Sequence, residues 1–254
     1  MEKLVERLWR ENEGLRARNA ELDKFCRDAT VDMTAAMRRV ELYLQRANRH
    51  LGTDARSVAA KEDIRSIAEE VAKVSNLTES LLNYTQLLTT TMKIADLRFR
   101  DVLERVVQDR CAAGDELQIV FEGYWPHMWA GEGALRLAFE AIVDNSVHYA
   151  KEGRIACIDA SCYVEGGRVM VRLSDHGQGF DPAKCGRVFR PMTSLSRGAG
   201  PGMGLAIVAR VMELHEGTAK AETVPGRGTT IELSFPESRI VGSAELHTPM
   251  AVGY

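Results

Sequence analysis

The sequence predicts an α+β protein with a helical front third and a mixed sheet beneath helices in its second half. Residues 1 to about 92 contain no proline and repeat apolar side chains at steps of three and four. After about residue 114, glycine becomes frequent and short β-rich runs alternate with helical stretches. The 254 residues fit one to two domains and at least one buried core.

Composition excludes several classes of function. With 33 basic and 36 acidic side chains the net charge is −3, so we expect no nucleic-acid partner and no attraction to an anionic membrane. The sequence has no apolar run of about 18 residues that could insert into a membrane. The N-terminus is too charged for a secretory signal, and the 5 cysteines show no metal-ligand spacing. These features predict a cytoplasmic protein with reduced thiols.

Residues 23–92 are predicted to form an antiparallel helical hairpin that turns at 51–54. One hairpin cannot bury both of its apolar stripes, so we expect a homodimer in which two copies form a four-helix bundle. Leucines at heptad-like spacing over 1–22 predict a coiled-coil leader. Taken alone, this region favours a structural dimerisation stalk. The stripes are Met33, Met37, Val40, Leu44, Ala47 and Leu51, then Ile64, Ile67, Val71, Val74, Leu77, Leu81, Tyr84 and Leu88.

Residues 93–236 are predicted to form the α+β sandwich. The β-rich runs lie at 118–121, 155–158, 169–173 and 229–235, with the last preceded by a turn at Pro225-Gly226. The helical stretches lie at about 96–112, 134–149 and 202–216. Residues 237–254 have no periodicity, which predicts a flexible tail.

Two glycine clusters carry the chemistry of this second domain. Asp175 follows a predicted strand, and Gly177 and Gly179 then allow the backbone to turn tightly against a ligand. Gly200, Gly202 and Gly204 precede a predicted helix, where exposed N–H groups and the helix dipole favour phosphate. No Gly-Lys-Ser/Thr follows, so this is not a P-loop. Each cluster alone is an ordinary turn signal, whereas their order and spacing are far less common.

That order resembles the ATP-binding domain of sensor histidine kinases, a fold shared with DNA gyrase and one class of heat-shock chaperones (the GHKL fold). The resemblance covers residues 96–236. Residues 141–149 resemble the N-box, 175–180 the first glycine box, 189–192 the F-box, 200–205 the second glycine box and 226–229 the last glycine motif.

The resemblance implies a bound ATP or ADP with Mg²⁺. Asp175 would contact the adenine amino group, Asn145 would hold the metal, and the second-box glycines would lie near the phosphates, with 181–201 as a mobile lid. His148 stands where relatives often have lysine, and Ala141 replaces a residue that is usually polar. The implied nucleotide-binding residues are Asn145, His148, Tyr149, Asp175, Gly177, Gly179, Gly200, Gly202, Gly204, Leu205 and Thr229.

Upstream, residues 21–38 are similar to the dimerisation and phosphoacceptor helix of the phytochrome-type branch of these kinases. Aligning Asp32 with the acidic residue of that helix puts Val31 in the place of the acceptor histidine, and Ala36 in that of a proline. Val31 falls outside the apolar stripe, on an exposed position where valine is a poor helix former. Phosphoryl transfer to histidine needs an unprotonated ring nitrogen, which valine lacks. We therefore expect no catalytic residue at this position.

Three functions fit this sequence. The first is a regulatory pseudokinase that binds nucleotide and acts on a response-regulator receiver domain or on another histidine kinase. The second is an active kinase that phosphorylates a histidine of a partner in trans, or a hydroxyl such as that of Thr30, which lies on the buried stripe. The third is a scaffold that binds no nucleotide.

Overall fold

The computed structural model describes residues 35, 37–40, 42–46, 56–89, 92–193 and 202–242. The predicted leader, Val31, Asp32 and Gly200 lie outside these residues. The chain forms two compact units, Met1–Glu79 and Ser80–Tyr254. The division falls within a helix rather than after residue 92.

The first unit contains helical residues at 37–40 and 42–46 and most of helix α1 (Arg56–Thr89). The Arg39 Nε donates to Glu70 Oε2 at 2.7 Å, and Lys73 Nζ donates to Glu70 Oε1 at 2.8 Å. The bonds from Lys73 and Arg39 lower the pKa of this nearly buried carboxyl against the opposing effect of burial. Because Arg39 and Glu70 lie at similar distances on either side of 51–54, their contact fits the predicted antiparallel hairpin.

The second unit contains two β-sheets. Their strands are β1 (Ala95–Arg98), β2 (Leu117–Gly123), β3 (His127–Ala130), β4 (Ala156–Glu165), β5 (Arg168–Asp175), β6 (Thr218–Val224) and β7 (Gly228–Pro236). The larger sheet has the strand order β2-β4-β5-β7-β6, in which β2 runs parallel to β4 and the other neighbours are antiparallel. The smaller sheet pairs β1 with β3 and was not predicted from the sequence.

Three helices complete the second unit: α2 (Phe99–Ala112), α3 (Glu132–His148) and α4 (Gly204–Leu214). The first begins later than the expected residue 96, because 95–98 form β1. α3 packs against both α2 and α4. The core includes the Phe99 and Phe235 rings, with centroids 4.8 Å apart, and the buried Phe139. Each such side chain contributes about 1.5–3 kcal/mol to folding. The α+β class is therefore confirmed.

The ordered domain continues past the expected boundary at Pro236. Residues Glu237–Arg239 form a 3₁₀ turn, and the Val241 N–H donates to the His127 carbonyl at 2.9 Å. The Arg239 Nε donates to the His215 carbonyl at the end of α4, at 2.8 Å. The tail predicted from residue 237 is thus wrong up to residue 242, because Arg239 satisfies a helix-terminal carbonyl that would otherwise lack a partner.

His215 joins the end of α4 to the start of α3. Its imidazole is fully buried, accepts from the Gly131 N–H at Nε2 (3.0 Å) and donates from Nδ1 to the Val211 carbonyl (2.7 Å). This geometry requires the neutral ring. Burial is the main cause that lowers the pKa of His215, and the nearby Arg239 charge adds to it.

None of the described helices combines the length and the apolar character needed to cross a bilayer.

We predict that His215→Ala lowers the free energy of unfolding by about 2–4 kcal/mol. The change removes two buried hydrogen bonds and leaves a cavity. Chemical denaturation at pH 7 measures the loss. The exposed His148→Ala serves as the control and should stay within about 0.5 kcal/mol of the unmodified protein. An equal loss in both variants would contradict the structural role of His215.

Candidate functional site

A cavity of about 170 Å³ opens where α3 and the loop after β5 meet the start of α4 and β7. Six of the predicted binding residues line it: Asn145, Tyr149, Asp175, Gly179, Leu205 and Thr229. Its other lining residues are Ile142, Gln178, Phe180, Asp181, Lys184 and Ile231. Residues far apart in sequence thus converge on one pocket.

Asp175 is the last residue of β5 and is held by two backbone donors. The Gly177 N–H lies 2.8 Å and the Thr229 N–H 3.1 Å from Asp175 Oδ1. Burial raises the pKa of Asp175, and these two bonds oppose that rise. Because both bonds use Oδ1, Oδ2 is the atom left to accept a hydrogen bond from a ligand, as far as the described residues show. An amino group on a ligand ring would suit this acceptor.

The glycines of the first cluster allow close backbone packing. A Cβ on Gly177 would lie 2.5 Å from the Tyr149 carbonyl oxygen, and one on Gly179 would lie 2.4 Å from that of Val224. Gly179 also has φ +62°, a conformation that other residues rarely adopt. Side chains at these positions would push the turn out of the cavity wall.

The turn is bonded to elements on both sides of the pocket. The Gln178 N–H donates to the Tyr149 carbonyl just after α3 at 2.9 Å, and the Gly226 N–H donates to the Gln178 carbonyl at 2.6 Å. The Phe180 N–H donates to Thr223 Oγ1 on β6 at 3.0 Å. The turn is therefore a fixed wall of the cavity.

The opposite wall is the N-terminus of α4. Its N-cap residue, Met203, provides no side-chain hydrogen bond, so the first N–H groups remain able to bind an anion. A Cβ on Gly204 would lie 3.7 Å from Asn145 Nδ2, which places the Asn145 amide beside this helix end. Gly202 (φ +70°) lies in the turn just before it but does not line the cavity.

His148 does not line the cavity, contrary to the sequence-based expectation. α3 ends at His148, whose exposed ring lies perpendicular to that of Tyr149 with the centroids 4.8 Å apart. The side chain that reaches the pocket is therefore Tyr149. The neighbouring Glu140 is not among the residues that line the cavity, and its Oε1 accepts from Arg136 Nε at 2.7 Å.

Sequence reasoning missed four polar or aromatic lining residues, Gln178, Phe180, Asp181 and Lys184. Asp181 accepts from the Ala183 N–H at 3.0 Å and starts a 3₁₀ turn, Pro182–Lys184, which brings Lys184 to the pocket. An Asp-Pro pair is a recognised turn signal and could have indicated this element. Lys184 adds a cationic side chain to the cavity wall.

The comparisons with known proteins agree with this geometry. Residues 130–239 match the family described as histidine kinase-, DNA gyrase B-, and HSP90-like ATPase. The phytochrome-like protein Cph1 of Synechocystis is 27% identical over 234 residues, which cover 86% of this chain and 29% of Cph1. The methanogenesis regulatory histidine kinase FilI of Methanothrix harundinacea is 24% identical over 226 residues, or 87% of this chain and 25% of FilI.

Solved structures share the fold. The Acinetobacter baumannii histidine kinase AdeS has a TM-score of 0.59 at 16% identity, with 80% of this chain and 95% of that chain covered. Full-length ShkA in complex with AMPPNP has a TM-score of 0.52 at 20% identity, with 84% and 45% covered. The chain spans about a quarter to a third of the length of the curated relatives it matches. The family match and the relatives together support a sensor histidine kinase catalytic core, and the solved structures share its fold.

Proposed function

We propose that this protein is a dimeric regulatory pseudokinase of two-component signalling. It binds ATP or ADP with Mg²⁺, lacks the acceptor histidine, and acts on a response-regulator receiver domain or on another histidine kinase. The observation that carries the proposal is a cavity fit for an adenine nucleotide in a chain whose aligned acceptor position is Val31.

The described residues fit a nucleotide. Asp175 Oδ2 can accept from the adenine amino group, and the glycine turn, packed closely against its neighbours, forms the adjoining wall of the cavity. The uncapped start of α4 provides N–H donors and positive potential for phosphates. The Asn145 amide oxygen beside that helix end is the kind of hard ligand that Mg²⁺ prefers. The metal would supply charge that neutralises the phosphates.

None of the four described histidines lies on the hairpin on which the phosphoacceptor helix was predicted, since all four lie in the second unit. His50, which the sequence places on that hairpin, lies outside the described residues. The ring of His215 is fully buried with both nitrogens bonded. Both ring nitrogens of His127 are also engaged, by Asp96 and Arg98.

Exposed apolar side chains on the first unit support a homodimer. Met37, Leu44, Ile64 and Val71 belong to the predicted stripes, and each is about half exposed in the single chain. Covering them with a second copy removes apolar surface from water at about 25 cal/mol per Å². This face would form the four-helix bundle that binds a partner.

We predict that Mg-ATP raises the thermal unfolding temperature of the protein. A ligand at 100 times its Kd stabilises by about 2.7 kcal/mol. Asp175→Asn should weaken binding about tenfold to a hundredfold, since a charged acceptor is replaced by an amide that can present N–H groups to the adenine amino group. Isothermal titration calorimetry measures both affinities.

Asp101→Asn is the matched control, because this exposed carboxylate does not line the cavity. Its affinity should equal that of the unmodified protein. A protein that shows no shift with any adenine nucleotide would be the nucleotide-free scaffold.

We also predict that ATP affinity falls as the pH is lowered from neutral into the acidic range. Only the ionised Asp175 carboxylate accepts through both oxygens, and burial raises the pKa of Asp175 above its ordinary value of 3.8. Its protonation, and with it the loss of affinity, therefore begins at a higher pH than for a solvated aspartate. Asp175→Asn should show a flatter profile than the unmodified protein in the same titration. Parallel profiles for the two proteins would exclude Asp175 as the titrating group.

The missing acceptor gives a further test with γ-labelled ATP. The unmodified protein should incorporate no label, whereas Val31→His should gain labelling if the helix keeps its docking geometry. The label on Val31→His should be acid-labile and should vanish when Asp175→Ala is added. Label on the unmodified chain, or on a partner protein incubated with it, that disappears in Asp175→Ala would instead identify an active kinase.

A further inference from the structure

We infer that the hydrogen bond between His176 and Asp159 positions Asp175 for recognition of the adenine amino group. This inference rests on the proposed nucleotide-binding function and adds two residues that lie outside the cavity. The His176 Nε2 is 2.8 Å from Asp159 Oδ2, and neither residue lines the pocket.

The strand register explains how a residue outside the cavity can act on one inside it. Side chains alternate along β5, so Leu173 and Asp175 lie on one face while Ser174 lies on the other. His176 continues the face of Ser174, whose cross-strand partner on β4 is Asp159. His176 and Asp159 are therefore diagonal neighbours on the outer face, within reach of each other.

The backbone ladder between β4 and β5 ends at this point. Asp175, the last residue of β5, pairs with Ile158, and in the described part of the chain the strand pairing does not continue past it. The chain then turns, and the Gly177 N–H donates to Asp175 Oδ1. The hydrogen bond to Asp159 thus tethers His176, the one residue between Asp175 at the strand end and Gly177, whose N–H orients the Asp175 carboxylate.

Close packing transmits the position of this residue to the carboxylate. A Cβ on Gly228 would lie 2.0 Å from the Asp175 carbonyl oxygen and 3.0 Å from His176 Cα, so β7 is pressed against this peptide. The neighbouring Thr229 N–H is the second donor to Asp175 Oδ1. A displacement of His176 would therefore disturb both donors.

The other charges on this face leave Asp159 as the carboxylate available to His176. Arg172 on β5 pairs with Glu222 on β6 at 3.3 Å and with Glu232 on β7 at 3.7 Å. On the far side of β4, the residue opposite Asp159 on β2 is the uncharged Val120.

The test compares ATP with inosine triphosphate, which carries an oxygen in place of the 6-amino group. The ratio of the two Kd values reports on the Asp175 contact, whereas a general loss of folding or of phosphate contacts changes both affinities equally. His176→Ala and Asp159→Ala should each lower the preference for ATP about two- to fivefold, the range of an exposed side-chain pair. The double variant should lose no more than either single one.

His127→Ala is the matched control. His127 and Asp96 also lie 2.8 Å apart, with side chains 51% and 44% exposed against 59% and 52% for His176 and Asp159, but they lie on the small sheet. His127→Ala should keep the preference for ATP, and so should His176→Arg, which retains a donor for Asp159.

The outcomes separate this inference from the proposed function. An unmodified protein that binds neither nucleotide overturns both. A protein that binds ATP, but whose preference is unchanged in His176→Ala and Asp159→Ala, overturns the inference alone. Equal effects in His127→Ala, or additive losses in the double variant, overturn it as well. Because both side chains are exposed, Asp159→Asn provides an isosteric variant should an alanine variant fail to fold.

Discussion

The two hydrogen bonds to Asp175 Oδ1 are the constraint on which the site depends. They join the end of β5 to the glycine turn through Gly177 and to the start of β7 through Thr229. Burying a carboxylate is unfavourable unless it is hydrogen-bonded, and these donors offset part of that cost. Burial still raises the pKa of Asp175. Because both backbone bonds use Oδ1, Oδ2 is suited to accept from a ligand donor within the cavity. Removal of either donor would leave Oδ1 held by a single backbone hydrogen bond.

Features with local periodicity were predictable from the sequence. Alternating Val169, Val171 and Leu173 indicated β5, and all three are buried. The glycines before α4 indicated the helix start that forms one wall of the cavity. By contrast, β1 and β3 have four residues each and pair with each other, with one further bridge from Met128 to Ile240, so their formation depends on tertiary contacts. The ordering of residues 237–242 likewise depends on Arg239 reaching the end of α4, which no local pattern encodes.

In the candidate site, too, some residues were predictable from local sequence patterns and others depend on tertiary structure. The order of the motifs indicated that Asn145, Asp175 and Thr229 belong to one pocket, and all three line the cavity. Each of these residues lies on a helix or strand that the sequence identifies. Lys184 reaches the pocket only through the 3₁₀ turn that Asp181 caps, and its direction was not evident from spacing. His148 was expected in the pocket on a resemblance alone. α3 ends at His148, and of these two neighbours only Tyr149, which was also expected there, lines the cavity.

The way the pocket is built explains how nucleotide binding can outlast phosphoryl transfer. The phosphate contacts proposed for the nucleotide are made by backbone groups, namely the N–H donors at the start of α4. Substitutions elsewhere do not remove such groups as long as the fold is kept. The acceptor chemistry, in contrast, requires one side chain, and in the proposed alignment that side chain is Val31, which has no nucleophilic atom. A single substitution can therefore end the chemistry while the nucleotide remains able to act as a regulatory ligand.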